Sequence, residues 1–97
     1  MREAELDQAV AELCVDLGVH RFHVPDSRRV EFRGFPDLVL WGPRGLIFRE
    51  LKSDQGRLSR EQMRVHETLL DARQDIYVWR PWDLHEGVID SELRQIR

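Results

Sequence analysis

The sequence predicts an α/β domain in which one mixed sheet is flanked by helices. Three observations carry this. Leu6, Val10, Leu13 and Leu17 recur at helical spacing, with Ala9 and Cys14 alongside. Two short apolar runs, residues 38–41 and 46–52, are separated by the turn sequence Gly42-Pro43-Arg44-Gly45. A second helical stretch then precedes a further apolar run at residues 75–79. The expected order is helix, three strands, helix and strand, with a small appendix.

The first helix is expected over residues 2–17, ended by Gly18. Residues 21–24 read as a short strand, broken by Pro25-Asp26-Ser27. Residues 26–34 are polar and read as a loop or ragged hairpin. Ser59-Arg60-Glu61-Gln62 is a capping-box pattern, with Leu58 and Met63 placed for a hydrophobic staple. The helix that it opens is expected to run to about Arg73. Arg80-Pro81 ends the last strand, and short helical turns are expected near residues 82–86 and 91–96.

The 97 residues fit a single domain, spanning 1–97, with one modest core. Hydrophobic content of 41% and charged content of 34% suit a soluble globular chain. No apolar run approaches the length of a membrane span, and no signal-peptide pattern is present. The lone Cys14 cannot form an internal disulfide and is expected to be a buried structural thiol in a cytoplasmic protein. A net charge of −3 argues against a general nucleic-acid coating protein. It leaves room for a nuclease, because acidic metal ligands count against the total until a cation binds. Arginines cluster before the central segment (Arg28, Arg29, Arg33) and after it (Arg57, Arg60, Arg64), where either substrate contacts or a solvated surface would suit them.

The chemistry centres on Lys52, the single lysine beside fourteen arginines. An ammonium can shift its pKa and handle protons, which a guanidinium cannot. Strand alternation puts Glu50 and Lys52 on one face, with Leu51 on the other. If residues 42–45 form a hairpin loop, Trp41 faces Leu46 and, stepping outward, Asp37 faces Glu50. Opposed residues have Cβ atoms about 5 Å apart, and two carboxylates at that distance need a neutralising cation. Oxygen ligands favour Mg²⁺ or Mn²⁺. Asp37 and Glu50 are therefore candidate metal ligands, with the Leu51 carbonyl as a further oxygen and Lys52 as the catalytic ammonium. Pro36 cannot donate to a ladder, which places Asp37 at the mouth of its strand. The competing explanation is a cross-strand salt bridge among Asp37, Glu50, Lys52 and Arg49.

Gly34-Phe35-Pro36-Asp37-Leu38, Glu50-Leu51-Lys52, Gly56-Arg57-Leu58-Ser59 and Gln62 together resemble the PD-(D/E)xK nuclease superfamily, and more narrowly its VRR-NUC family. The similarity extends from the acidic first helix to Tyr77-Val78-Trp79-Arg80-Pro81. It implies a restriction-endonuclease-like core (αβββαβ) and Mg²⁺- or Mn²⁺-dependent cleavage of DNA. It also implies a site glutamate on the first helix, carried over to Glu5 with Glu3 as the alternative. Gln62 matches an active-site glutamine of the family, although as the last residue of the capping box it has a purely structural use as well. Stand-alone members are often homodimers, so a dimer acting on branched DNA such as four-way junctions is expected. Apolar and aromatic residues after position 76 offer one interface. The compact size and arginine bias suggest the cytoplasm of a bacterial or phage-infected cell.

The histidines, His20, His23, His66 and His85, have no zinc-like spacing with Cys14 and are expected to be structural or on the surface, with His23 placed to lie near the cleft. Trp41, Trp79 and Trp82 suit packing better than base stacking. The rival function is a non-catalytic nucleic-acid-binding or assembly module on the same fold, which would not need Asp37, Glu50 and Lys52 together. A nuclease acting on RNA, or only within a larger replication or repair complex, is a third reading.

Overall fold

The computed structural model describes residues 1–25 and 32–97. Arg28, Arg29 and most of the loop expected over 26–34 lie outside the described residues. The elements follow as α1 (Glu3–Leu17), β1 (His20–His23), β2 (Leu38–Gly42), β3 (Gly45–Leu51), α2 (Arg60–Asp71), β4 (Ile76–Trp79), α3 (Pro81–His85) and α4 (Val88–Ile96). The expected architecture is present, with strand and helix ends displaced by up to three residues.

The four strands lie in the order β1-β2-β3-β4. The first three pair antiparallel, and β4 runs parallel to β3. A parallel neighbour requires a crossover, and α2 supplies it. Hairpin pairing continues to Gly42 opposite Gly45, so the loop is the two residues Pro43 and Arg44 rather than four. The register is unchanged by this, with Trp41 opposite Leu46 and Leu38 opposite Arg49.

One face of the sheet carries the main core. Leu6, Val10 and Cys14 of α1 pack with Leu38, Leu40, Ile47 and Leu51, joined by Ile89, Leu93 and Ile96 of α4. The tail is therefore no appendix: its last helix closes the core. Most apolar residues after position 76 that were expected at an interface are consumed here, Trp79 among them, while Tyr77 and Trp82 remain exposed. Burial pushes the Cys14 thiol up to about 11, as befits an inert core residue.

The hairpin also holds α4. Arg44 donates from its backbone N–H to the Ile96 carbonyl (3.1 Å), from Nε to Arg97 O (3.1 Å) and from Nη2 to Arg94 O (2.8 Å). These satisfy the otherwise unpaired carbonyls at the helix C-terminus. Gly42 makes the contact feasible, since a Cβ there would stand 2.2 Å from Ile96 O.

Candidate active site

On the other face, the residues opposite one another include Val39 with Phe48 and Trp41 with Leu46. Extending that ladder by one step sets Asp37 opposite Glu50. Asp37 lies just before β2, and its own backbone and side chain fix it. Its carbonyl accepts from Val24 N–H (2.7 Å), and its Oδ2 accepts from Leu51 N–H (2.8 Å). Lys52 continues β3 beyond the carboxylate, with its backbone N–H donating to Trp79 O at 3.1 Å.

Glu50 is only 1% exposed. Its Oε2 accepts from Gln62 Nε2 at 3.3 Å. Its Oε1 is buried without any hydrogen-bond partner. Burial above all, then the contact with Asp37 and the charge of Asp37, raise the Glu50 carboxyl to about 9; Lys52 opposes the rise and Glu3 adds to it. A carboxylate that is dry, crowded by a like charge and short of one partner is a site for a cation or a proton.

Gln62 closes the capping box and also reaches Glu50. Its Oε1 accepts from Ser59 N–H (2.8 Å), its backbone N–H donates to Ser59 Oγ (3.1 Å), and its Nε2 remains for Glu50. The capping box thus orients the amide whose other end meets the carboxylate. Gly34 brings the loop before Asp37 onto this helix start. Its φ is +89°, and a Cβ would stand 2.5 Å from the backbone carbonyl of Glu61.

These segments enclose a cleft of about 690 Å³ lined by Asp37, Lys52, Gln62, Glu3, His23 and Arg33, among others. The first-helix glutamate facing it is Glu3. Glu5 turns instead to Arg2, accepting from its backbone N–H at 3.1 Å and its Nε at 3.2 Å, so the alternative position takes the place expected of Glu5. Arg49 is not part of the group either. It lies buried on the opposite face, paired with Glu92 (2.9 Å) and Asp75 (2.8 Å). Lys52 forms no ion pair with Asp37 or Glu50 among the described residues, so the four-residue salt bridge is absent. Arg80 holds the loop after Lys52, donating from Nη1 to Ser53 O (2.6 Å) and Gly56 O (2.7 Å).

Sequence reasoning gave His66 no site role, expecting it to be structural or on the surface. It is buried on α2 with its Nε2 3.8 Å from Glu50 Oε1. The available signal was its position one helical turn beyond Gln62. His23 lines the cleft as expected, and His20 stacks on Trp41.

The donor set fits a hard divalent cation. Asp37 and Glu50 offer only oxygen, and Glu50 Oε1 has no other partner. Among the described residues no group of three or more ligating side chains converges. Mg²⁺ commonly binds through one or two carboxylates, retaining water and taking substrate phosphate oxygens.

No family model and no curated protein matches this sequence. Among solved structures, one described as a VRR_NUC domain superposes with a TM-score of 0.74 at 22% identity, over 91% of this chain and 94% of that one. The chain has the VRR_NUC fold. The fold places its sheet and helices as the sequence resemblance implied. At this identity the VRR_NUC likeness speaks to architecture, and the site rests on the geometry above.

Proposed function

We propose that this chain is a metal-dependent endonuclease of the VRR-NUC family that hydrolyses DNA phosphodiester bonds. The observation that carries the reading is the placement of Asp37 and Lys52 on one cleft, with the buried, partly unsatisfied Glu50 in contact with Asp37. Asp37 and Glu50 are the residues that would hold Mg²⁺ or Mn²⁺, with the Leu51 carbonyl and Glu3 as further oxygens. When bound, the ion supplies Lewis-acid polarisation of the phosphate and a more acidic water. Lys52 orients the attacking water and offsets negative charge developing on the phosphate. Gln62 keeps Glu50 in place. Arg33, also lining the cleft, offers a cation to the DNA backbone.

The short chain leaves little room for elements that read bases, so contacts fall on phosphate and substrate shape governs selection. This supports branched DNA as the preferred substrate and a two-fold homodimer that presents two clefts.

The test is cleavage of labelled single-stranded, duplex, flap and four-way-junction DNA in Mg²⁺, Mn²⁺ or EDTA. Wild type is expected to cut with metal only, and to prefer the junction. Lys52→Ala and Asp37→Asn are expected to lose at least 100-fold in rate, within the range for removal of a group that acts only in the transition state. Folded, DNA-binding wild type that cuts nothing would favour the binding-module reading instead. Sedimentation of the same sample tests the dimer.

A further inference from the structure

Two buried polar atoms lack partners and lie 3.8 Å apart: Glu50 Oε1 and His66 Nε2. Both side chains are nearly out of water, at 2% and 10% exposure. Their occurrence as a pair is informative. Buried polar groups are nearly always satisfied, and an exception calls for an explanation. Gln62 and His66 stand at i and i+4 on α2, so successive turns of one helix meet the two oxygens of one carboxylate. The Gln62 amide already reaches Oε2.

From this arrangement we infer that His66 is a positioning residue, whose Nε2–H donates to Glu50 Oε1 once Glu50 holds its cation. The inference rests on the nuclease reading above and names a residue that this reading does not use. A carboxylate oxygen has two lone pairs, so Oε1 can serve the cation with one and accept from His66 with the other. Carboxylates that ligate metals are themselves commonly hydrogen-bonded, which fixes their orientation. The present 3.8 Å is longer than a hydrogen bond. Bonds of this kind are often long before the site is loaded, and a charge-assisted bond is the shorter and stronger kind. A neutral imidazole has one N–H to give, and Nε2 is the ring nitrogen that faces Glu50 Oε1.

The experiment measures Mn²⁺ affinity by titration calorimetry, without DNA, on wild type, His66→Leu and His66→Gln. Leucine fills the volume without a donor, whereas glutamine restores an N–H near the position of Nε2. His66→Leu is expected to weaken Mn²⁺ binding by about 10- to 100-fold, the usual cost of losing a hydrogen-bond partner of a metal ligand. His66→Gln is expected to remain within a few-fold of wild type, with both variants melting near wild type in EDTA. Should His66→Leu fail to fold, His66→Met takes its place in the same comparison. Equal affinity in wild type and the apolar variant would overturn the inference while leaving the nuclease reading intact. Equal loss in the apolar and glutamine variants would also overturn it. Wild type that binds no Mn²⁺ would sink both readings together.

Discussion

Without a cation, the Glu50 carboxyl holds its proton at neutral pH. Its folded value of about 9 lies far above the ordinary 4.5, chiefly through burial. The sign of the linkage follows. The folded state binds this proton more tightly than the unfolded chain does. Its contribution to stability is fully present below 4.5 and is lost as the pH rises toward 9. Glu50→Gln removes that dependence. Its melting temperature in EDTA is expected to match wild type near pH 5 and to exceed it increasingly up to pH 9. Added Mg²⁺ should raise the wild-type melting temperature at pH 8 and leave the variant unmoved. Thermal melts at several pH values check both statements, and a variant less stable than wild type at pH 8 would contradict this account of Glu50. At the same scale, sequence alone could not choose between Glu3 and Glu5. Both sit in the first helical turn, where either favours the helix dipole. The choice was made by Arg2, which draws Glu5 into the cap. Nor could sequence give His66 its place, since a lone histidine on an amphipathic helix is usually a packing residue.

Among the elements, the β2–β3 hairpin and the start of α2 build the site, and they differ in how readable they were. The hairpin register was legible because each step along two paired strands has a fixed partner. Shortening the loop from four residues to two left every pair in place. The cap of α2 was legible from Ser59 and Gln62, yet not its proximity to Gly34, which is a contact between segments distant in sequence. Gly34→Ala tests that contact. The backbone there needs φ of +89°, and the added methyl would meet the Glu61 carbonyl, which cannot swing aside as a side chain can. The variant is expected to lose more than about 1 kcal/mol of stability in urea unfolding. It is also expected to lose cleavage more steeply than stability, because the same loop ends on Asp37. A variant as stable and active as wild type would mean that the loop and α2 move independently.

At the scale of the whole molecule, one core lies on one face of the sheet and the candidate site lies on the other. Strand β3 joins them, with Leu51 in the core and Glu50 on the other face, against Gln62. The helical spacing of Ile89, Leu93 and Ile96 was present in the sequence. It was hidden by the shortness of the segment and the charged residues Asp90, Glu92 and Arg94 between them. Because α4 completes the core, Leu93→Ala should cost about 2–5 kcal/mol, a large share of the total stability of a domain this size. Chemical denaturation measures this. A loss below about 1 kcal/mol would show that α4 is dispensable. No helix among the described residues is long and apolar enough to cross a membrane.

The docking of Arg94 to Arg97 on the hairpin has a practical side. The hairpin is the end of the sheet farthest from Asp37, while Glu3 stands at the cleft. Any polypeptide joined after Arg97 therefore departs on the far side from the substrate, and any joined before Met1 emerges beside it. An affinity tag or fluorescent label placed after Arg97 should leave cleavage untouched. The same label at the other end would stand beside the cleft proposed to take DNA.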